Sequence, residues 1–352
     1  MGAINLLDKV VISINKINIR KLRNLGERIL RDGNHSRAFA YFLECAEQGD
    51  VISQAILGVM YEDGIGIEQD HMKAVEWFRR AAEQGEATAQ YKLGTLYEKG
   101  QGVKQDDVDA AKWYLRAAAQ GNASAQTSLG IMYEEGRGVE QDDAKALLWY
   151  RRAAEDGDAV GHLNMGIAYL KGELVQQDYV KAIGHFREAA IQGIGVAHFI
   201  LGSMYEEGHG VERNDMKAAR CYRKAAEQGD ARSQHKLGCM YEEGCGVEQN
   251  DVEAAAWYRR AAEHGLLVAE FALGAMYYEG RGVKQDYIEA AKWFRKAAEQ
   301  GDPTAQFIMG AICEDGEGSG QDFTEAAKWY RKAAEQGDTE AKARLDAMAS
   351  RS

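Results

Sequence analysis

The side chains in this sequence with the most potential for chemistry are eight histidines and five cysteines. His162 and His198 lie 36 residues apart, and His235 follows 37 residues further on. A zinc ion would need a third and a fourth ligand beside them. We expect these imidazoles to be solvated or partly packed, and we predict neither a metal ion nor another cofactor.

Nucleophilic catalysis would need a Ser, His and Asp set or a Cys–His pair, and neither recurs at a meaningful spacing. The Gly-x-Gly segments, such as Gly64 to Gly66, lack the strand-to-helix context of a phosphate-binding loop. We therefore predict no catalytic residues and a protein that is not an enzyme. A regulatory subunit of an enzyme complex, or an enzyme with an unrecognised site, is the alternative.

The cysteines show no Cys-x-x-Cys spacing, which favours free thiols in a reducing compartment. A disulfide between Cys239 and Cys245 is the alternative. The first residues carry charges at Asp8 and Lys9 and no small-residue cleavage site, so they are not typical of a secretory signal. We expect a cytoplasmic protein.

The 352 residues include 43 Lys and Arg against 55 Asp and Glu, a net charge of −12. This acidity argues against general nucleic-acid binding, which needs a basic face. No apolar run reaches the roughly 18 residues of a membrane span, so we expect no membrane insertion. One proline and 39 glycines indicate long helices that end at glycine. We expect a monomer.

A 36-residue repeat positions these residues and recurs eight times from Asp50 to Gly337 without insertion or deletion. We number the blocks repeats 1 to 8. Each block predicts a first helix that is broken by loop glycines and a second helix that follows Asp or Asn. A glycine inside every first helix, Gly94 in repeat 2, costs about 1 kcal/mol relative to alanine. We expect the Trp113–Tyr114 pair of the second helix to supply the bulky neighbour that requires it.

One helix pair cannot bury its apolar faces alone, whereas stacked pairs can, so the sequence predicts an all-α solenoid. The expected organisation is an irregular N-terminal segment (1–16), a shortened capping repeat (17–49), eight repeats (50–337) and a C-terminal capping helix with a tail (338–352).

The pattern A-x-x-x-L-G-x-x-Y-x-x-G-x-G-V, then K-A-x-x-W-Y-x-x-A-A-x-x-G, resembles the Sel1-like repeat family, relatives of the tetratricopeptide repeat. In repeat 2 it is carried by Ala89, Leu93, Gly94, Tyr97, Gly100, Gly102, Val103, Ala110, Trp113, Tyr114, Ala117, Ala118 and Gly121. The departures include Leu174 for a loop glycine, His185 and Cys221 for tryptophan, and Cys313 for tyrosine.

This resemblance implies a right-handed superhelical solenoid of two-helix repeats and a non-enzymatic scaffold or adaptor for protein–protein interaction. Such proteins include bacterial adaptors and factors delivered into host cells, so translocation without a cleavable signal is the alternative to the cytoplasm.

In the related tetratricopeptide fold the first helices line the concave surface, and the resemblance implies that a partner protein or peptide binds there. The predicted contact residues are Tyr91, Val160, Leu163, Ile167, Leu170, Val196, Phe199, His235, Phe271 and Phe307. Glutamates at the Glu98 position would edge this groove and favour a partner with apolar anchors and some basic residues. The alternative is that these side chains only cover neighbouring residues of the solenoid.

Overall fold

The computed structural model describes residues 6–317 and 320–349, with side chains from Asn18 onward. Within these residues every regular element is a helix and no strand is present. The helices are α1 (Leu6–Arg31), α2 (His35–Glu47), α3 (Val51–Asp63), α4 (His71–Glu83), α5 (Ala87–Lys99), α6 (Asp107–Ala118), α7 (Ala123–Glu135), α8 (Asp143–Glu155), α9 (Ala159–Lys171), α10 (Tyr179–Ile191), α11 (Gly195–Glu207), α12 (Asp215–Glu227), α13 (Ala231–Glu243), α14 (Asp251–Glu263), α15 (Leu267–Glu279), α16 (Tyr287–Glu299), α17 (Pro303–Asp315), α18 (Phe323–Glu335) and α19 (Thr339–Ala349).

The chain forms two compact units, one ending at Asp178 and the other beginning at Tyr179. The first unit contains α1 to α9 and the second contains α10 to α19. In each unit every helix packs against the helix that follows it in the chain. This arrangement confirms the predicted all-α solenoid of two-helix repeats.

Short polar side chains begin most of the helices. The Asp50 carboxylate accepts the Ser53 N–H at 3.0 Å, which satisfies one of the unpaired donors of the first turn of α3. Helices α11 and α15 instead follow Ile194 and Leu266, which provide no side-chain cap. A glycine ends each first helix of repeats 1 to 8: Gly100, at a φ of 66°, adopts the left-handed conformation that side chains disfavour.

The glycine inside the first helix faces a ring of the same repeat in repeats 1 to 3 and 5 to 8. A Cβ added at Gly94 would lie 2.7 Å from Cδ1 of Tyr114, closer than packed carbon atoms approach. The expectation that Trp113 shares this role is wrong. Tyr114 faces the first helix, whereas Trp113 lies about 100° further around the second helix and stacks under the guanidinium of Arg116 at 4.5 Å.

A glutamine of the first helix joins each of five repeats to the helix before it. Gln90 Nε2 donates to the Ala82 carbonyl at 3.0 Å, which satisfies a group near the end of α4. We call this contact the glutamine anchor. The glutamines that make it are Gln54, Gln90, Gln126, Gln234 and Gln306, with distances of 3.0–3.4 Å.

A tyrosine near the end of the first helix forms a second contact with the preceding repeat. The Arg79 guanidinium on α4 donates to the Tyr97 hydroxyl on α5 at 2.7 Å. We call this contact the tyrosine anchor. It recurs in the pairs Arg187–Tyr205, Arg223–Tyr241 and Arg259–Tyr277.

The second loop glycine brings the loop onto the preceding repeat. A Cβ at Gly102 would lie 2.2 Å from the carbonyl oxygen of His71, the first residue of α4. Leu174 takes this position in repeat 4, and no described residue other than glycine has a positive φ. The backbone of that loop therefore differs from the others at this point.

The two ends differ from the central repeats. Helix α1 runs from Leu6 to Arg31, so the segment expected to be irregular is helical from Leu6 to residue 16. Leu7, Val11 and Ile14 recur at helical spacing, which explains why a helix forms there. At the other end, Asp346 on α19 is exposed where the repeats have their helix glycine. Residues 1–5 and the last three of the C-terminal tail, 350–352, lie outside the described part.

Candidate functional site

Of the eight histidines, one is buried, four are half-buried and three are exposed. Among the described residues, no group of three or more His, Cys, Asp or Glu side chains could hold a metal ion. His198 takes the position of the anchor glutamine in repeat 5 and is hydrogen-bonded to the Ala190 backbone. Burial, and secondarily the charge of Lys224, lower the pKa of this imidazole.

One Cys–His pair exists that the sequence analysis missed. His235 and Cys239 lie one turn apart on α13, with 3.7 Å between Sγ and Nε2. The Tyr258 hydroxyl lies 3.3 Å from the same sulfur and donates to Glu242 at 2.6 Å. Burial raises the pKa of Cys239 and lowers that of His235. Both groups are therefore neutral, unlike the thiolate of a reactive cysteine. Their i, i+4 spacing was the signal that could have revealed them.

All five cysteines are free thiols, as predicted. Cys45 and Cys313 are buried. Cys239 and Cys245 are partly exposed, and they form no disulfide with each other.

The residues at the Tyr91 position of the eight repeats form what we call the aromatic column; six of them are predicted contact residues, and five carry a ring. In the first unit it consists of Ala55, Tyr91, Thr127 and Leu163; in the second it consists of Phe199, His235, Phe271 and Phe307. Each ring lies 5.5–5.8 Å from the Tyr or Phe ring that faces the helix glycine of its own repeat. All five rings remain half-buried. They cover the repeat core, and they also keep an accessible side.

In the first unit, four of the predicted contact residues lie on α9. Val160 is 38% exposed, and Leu163, Ile167 and Leu170 are half-buried. Ile167 lines a cavity of about 250 Å³, whose other lining residues include Glu134, Tyr150 and Asn164. The Asn164 Nδ2 atom is buried and has no hydrogen-bond partner in the described part of the chain. No pattern in the sequence indicated this amide.

In the second unit, Val196 is 44% exposed, but Phe199 is less accessible than expected. The Arg232 guanidinium lies 4.4 Å from the centre of the Phe199 ring, and Tyr222 packs on the ring at 5.8 Å. Phe199 thus contacts a cation and an aromatic ring of its own unit. At Phe271 the column borders a cavity.

Phe271 lines a cavity of about 340 Å³ between α15 and α17. Its apolar wall also includes Ile308, and acidic side chains lie at its rim. Glu317 accepts a hydrogen bond from Tyr278, which raises the pKa of that phenol. Asp315 forms no ion pair with any described residue. The other lining residues are Ala275, Glu279, Phe294, Ala311 and Ile312.

The glutamates at the Glu98 position are internally paired. Glu98 accepts the Tyr114 hydroxyl at 2.7 Å and lies 3.0 Å from the Arg137 guanidinium of the next repeat. Glu206 is paired in the same way by Tyr222 and Lys236. These carboxylates therefore stabilise the stack, and less negative charge is available to a partner than the sequence pattern indicated.

Helices long and apolar enough to cross a membrane are absent from the described part of the chain. The chain is similar to a protective antigen of uropathogenic Escherichia coli strains that displays an SLR fold, with 41% identity over 89% of this chain and 67% of the antigen, and a TM-score of 0.82. It is also similar to a Sel1 repeat protein from Oxalobacter formigenes, with 37% identity over 87% of this chain and 89% of that protein, and a TM-score of 0.63. No curated protein matches the sequence.

The Sel1 repeat model matches the chain nine times. The first match lies in the segment predicted to be a shortened capping repeat, where Gly26 approaches Phe42 as the helix glycines approach their rings. The matches cover residues 23–50, 51–86, 87–122, 123–158, 159–194, 195–230, 231–266, 267–302 and 303–338. On this evidence the chain belongs to the Sel1 repeat family.

Proposed function

We propose that this protein is a non-enzymatic scaffold that binds a partner polypeptide along the face formed by its first helices. The fold is typical of protein–protein interaction scaffolds. The observation that supports this face is the Phe271 cavity, which combines an accessible aromatic ring, an apolar wall and an acidic rim. Apolar pockets with a charged rim are common at interaction sites.

The chemistry of this cavity favours a segment with an apolar anchor next to a lysine or arginine. The anchor would enter between Phe271 and Ile308, and the cation would meet Asp315. Charge complementarity of this kind mainly accelerates association and makes it depend on salt. In the first unit, a second candidate contact surface lies on α9 and consists of Val160, Leu163, Ile167 and Leu170. In the second unit, Val196 and Phe199 are further candidate contact residues.

A photo-crosslinking amino acid placed at Tyr278 tests this proposal in the source cell. We expect one partner to be captured in stoichiometric amount, and capture to be lost when Phe271→Ser and Ile308→Ser are combined. Phe323, 51% exposed on second helix α18, offers the matched control: Phe323→Ser should leave capture unchanged. Equal capture by the folded Phe271/Ile308 variant would place the binding site elsewhere.

We propose a cytoplasmic location, with which five free thiols are consistent. Cell fractionation tests this, since recovery outside the cytoplasm would contradict it.

A further inference from the structure

The boundary between repeats 7 and 8 contains a second cavity, of about 440 Å³, which shares the lining residue Ile312 with the Phe271 cavity. It is lined mainly by α16, including Ala291, Trp293 and Arg295, and closed by Met309 and Ile312 of α17. Met309 and Ile312 are buried, and Arg295 is exposed, so the cavity has an apolar floor and a charged entrance, where Lys292, Arg295 and Lys296 lie with Glu289 and Glu299.

The boundary between repeats 7 and 8 lacks the tyrosine anchor, and residues that would surround that tyrosine line the cavity. Repeats 1 to 7 have tyrosine at the position that Cys313 occupies in repeat 8. In repeat 1 this ring, Tyr61, packs edge-on against Phe39 at 5.4 Å, and in repeat 2 the hydroxyl of Tyr97 accepts from Arg79. By the 36-residue spacing, the residues that correspond to Phe39 and Arg79 are Ala291 and Arg295, and both line the cavity.

Because repeat 8 lacks the tyrosine, Arg295 has no tyrosine hydroxyl to which it can donate. Among the described residues, Arg295 has one ion-pair contact, 3.8 Å from Glu325, and no hydrogen bond. Its counterparts Arg223 and Arg259 each donate to a tyrosine hydroxyl. Cys313 is 4% exposed, and its side chain is too small to reach into the space that a phenol ring occupies elsewhere.

We propose that this cavity receives a tyrosine side chain of a partner protein, whose ring lies on Ala291 and Ile312 and whose hydroxyl accepts from Arg295. Four internal tyrosines accept from the corresponding arginine and show the chemistry that this position accommodates: Tyr97, Tyr205, Tyr241 and Tyr277. The site extends the proposed function to a second surface, and its test uses small probes, so its failure would leave the first-helix proposal intact.

The direct probes are p-cresol, toluene and N-acetyl-tyrosinamide, added to the full chain and followed by ligand-observed NMR and crystal soaking. Apolar cavities of this kind bind small aromatic molecules. We expect p-cresol and N-acetyl-tyrosinamide to bind, and toluene to bind about tenfold more weakly, since the phenol oxygen meets a charged donor. Arg295→Gln should remove that tenfold preference.

Two variants control for the location of the site. Cys313→Tyr fills the cavity and should abolish probe binding without lowering the melting temperature. Tyr277→Cys should open an equivalent cavity at the preceding boundary and raise the stoichiometry from one to two. The proposal is overturned by toluene binding as well as p-cresol, by exclusion of N-acetyl-tyrosinamide, by unchanged probe binding in Cys313→Tyr, or by absence of probe binding.

Discussion

The boundary between repeats 6 and 7 keeps its tyrosine anchor, in which Arg259 donates to Tyr277, but has the buried Glu270 where the anchor glutamine would stand. The next boundary shows the opposite pattern. Gln306 donates to the Ala298 carbonyl at 3.1 Å, whereas Cys313 replaces the tyrosine. Each boundary has thus lost one of two contacts and kept the other. The difference indicates that one anchor is sufficient to hold neighbouring repeats in register.

The packing inside a repeat should be insensitive to this difference. Gly274 in repeat 7 and Gly310 in repeat 8 face Phe294 and Tyr330, with Cβ distances of 2.9 and 2.6 Å. We expect Gly274→Leu and Gly310→Leu each to cost about 3 kcal/mol in urea unfolding, because the added side chain collides with a buried ring. The matched control is Gly184→Ala on α10, where no atom lies within 4 Å; it should stabilise by about 1 kcal/mol. An unchanged unfolding free energy for both leucine variants would contradict the packing role.

Removing the last anchor of a boundary should lower the free energy of unfolding more than removing one anchor from a boundary that has both. Gln306→Ala affects a boundary that already lacks its tyrosine, whereas Gln234→Ala affects one that keeps the Arg223–Tyr241 contact. We expect losses of about 2 and 1 kcal/mol, within the range for an unsatisfied buried group. Hydrogen exchange of α17 and α13 measures the two losses separately. Equal losses would show that the anchors act independently.

Repairing the other boundary should stabilise the protein. Burial raises the pKa of Glu270, so its charged form destabilises the folded chain as pH rises through that pKa. In Glu270→Gln the amide can donate to the Ala262 carbonyl as Gln234 donates to Ala226. We expect a gain of about 1 kcal/mol at pH 7 that shrinks at pH 4. A gain of equal size at both pH values would contradict this cause.

The smallest expected effect concerns His198, which replaces the anchor glutamine in repeat 5. Its pKa is lowered in the folded state, so the unfolded chain takes up a proton first as pH falls below about 6.5. Stability should therefore decline on acidification, and His198→Gln should make thermal unfolding less dependent on pH between 7 and 5.5. His235 has a lowered pKa as well and will keep part of the dependence. Identical pH profiles for the two proteins would exclude a contribution from His198.

The sequence was most informative where one residue type serves one steric purpose. Helix ends followed from Asp, Asn and Gly at fixed spacing, and the glycine inside each first helix correctly indicated a ring close by. Which ring it is could not be predicted, because Trp113 and Tyr114 are adjacent in sequence and differ only in their angular positions on the helix.

The candidate site was predicted less completely. The aromatic column follows from the period, but the pairing of Glu98 with Tyr114 and Arg137 joins three helices, and no local pattern shows it. For the same reason no local sequence pattern identified the anchor glutamines. The accessibility of Phe199 could not be predicted either, since it depends on Arg232, which lies on the next first helix.

The fixed offsets of the two anchors have a consequence for how such a chain can change in length. The anchor glutamine reaches a carbonyl eight residues earlier, and the anchor tyrosine meets an arginine eighteen residues earlier, at every boundary where they occur. A gene segment that encodes 36 residues therefore carries both halves of each junction. Duplication or loss of such a segment would recreate compatible junctions on either side. Whole repeats can therefore be added or removed during evolution without further substitutions at the junctions.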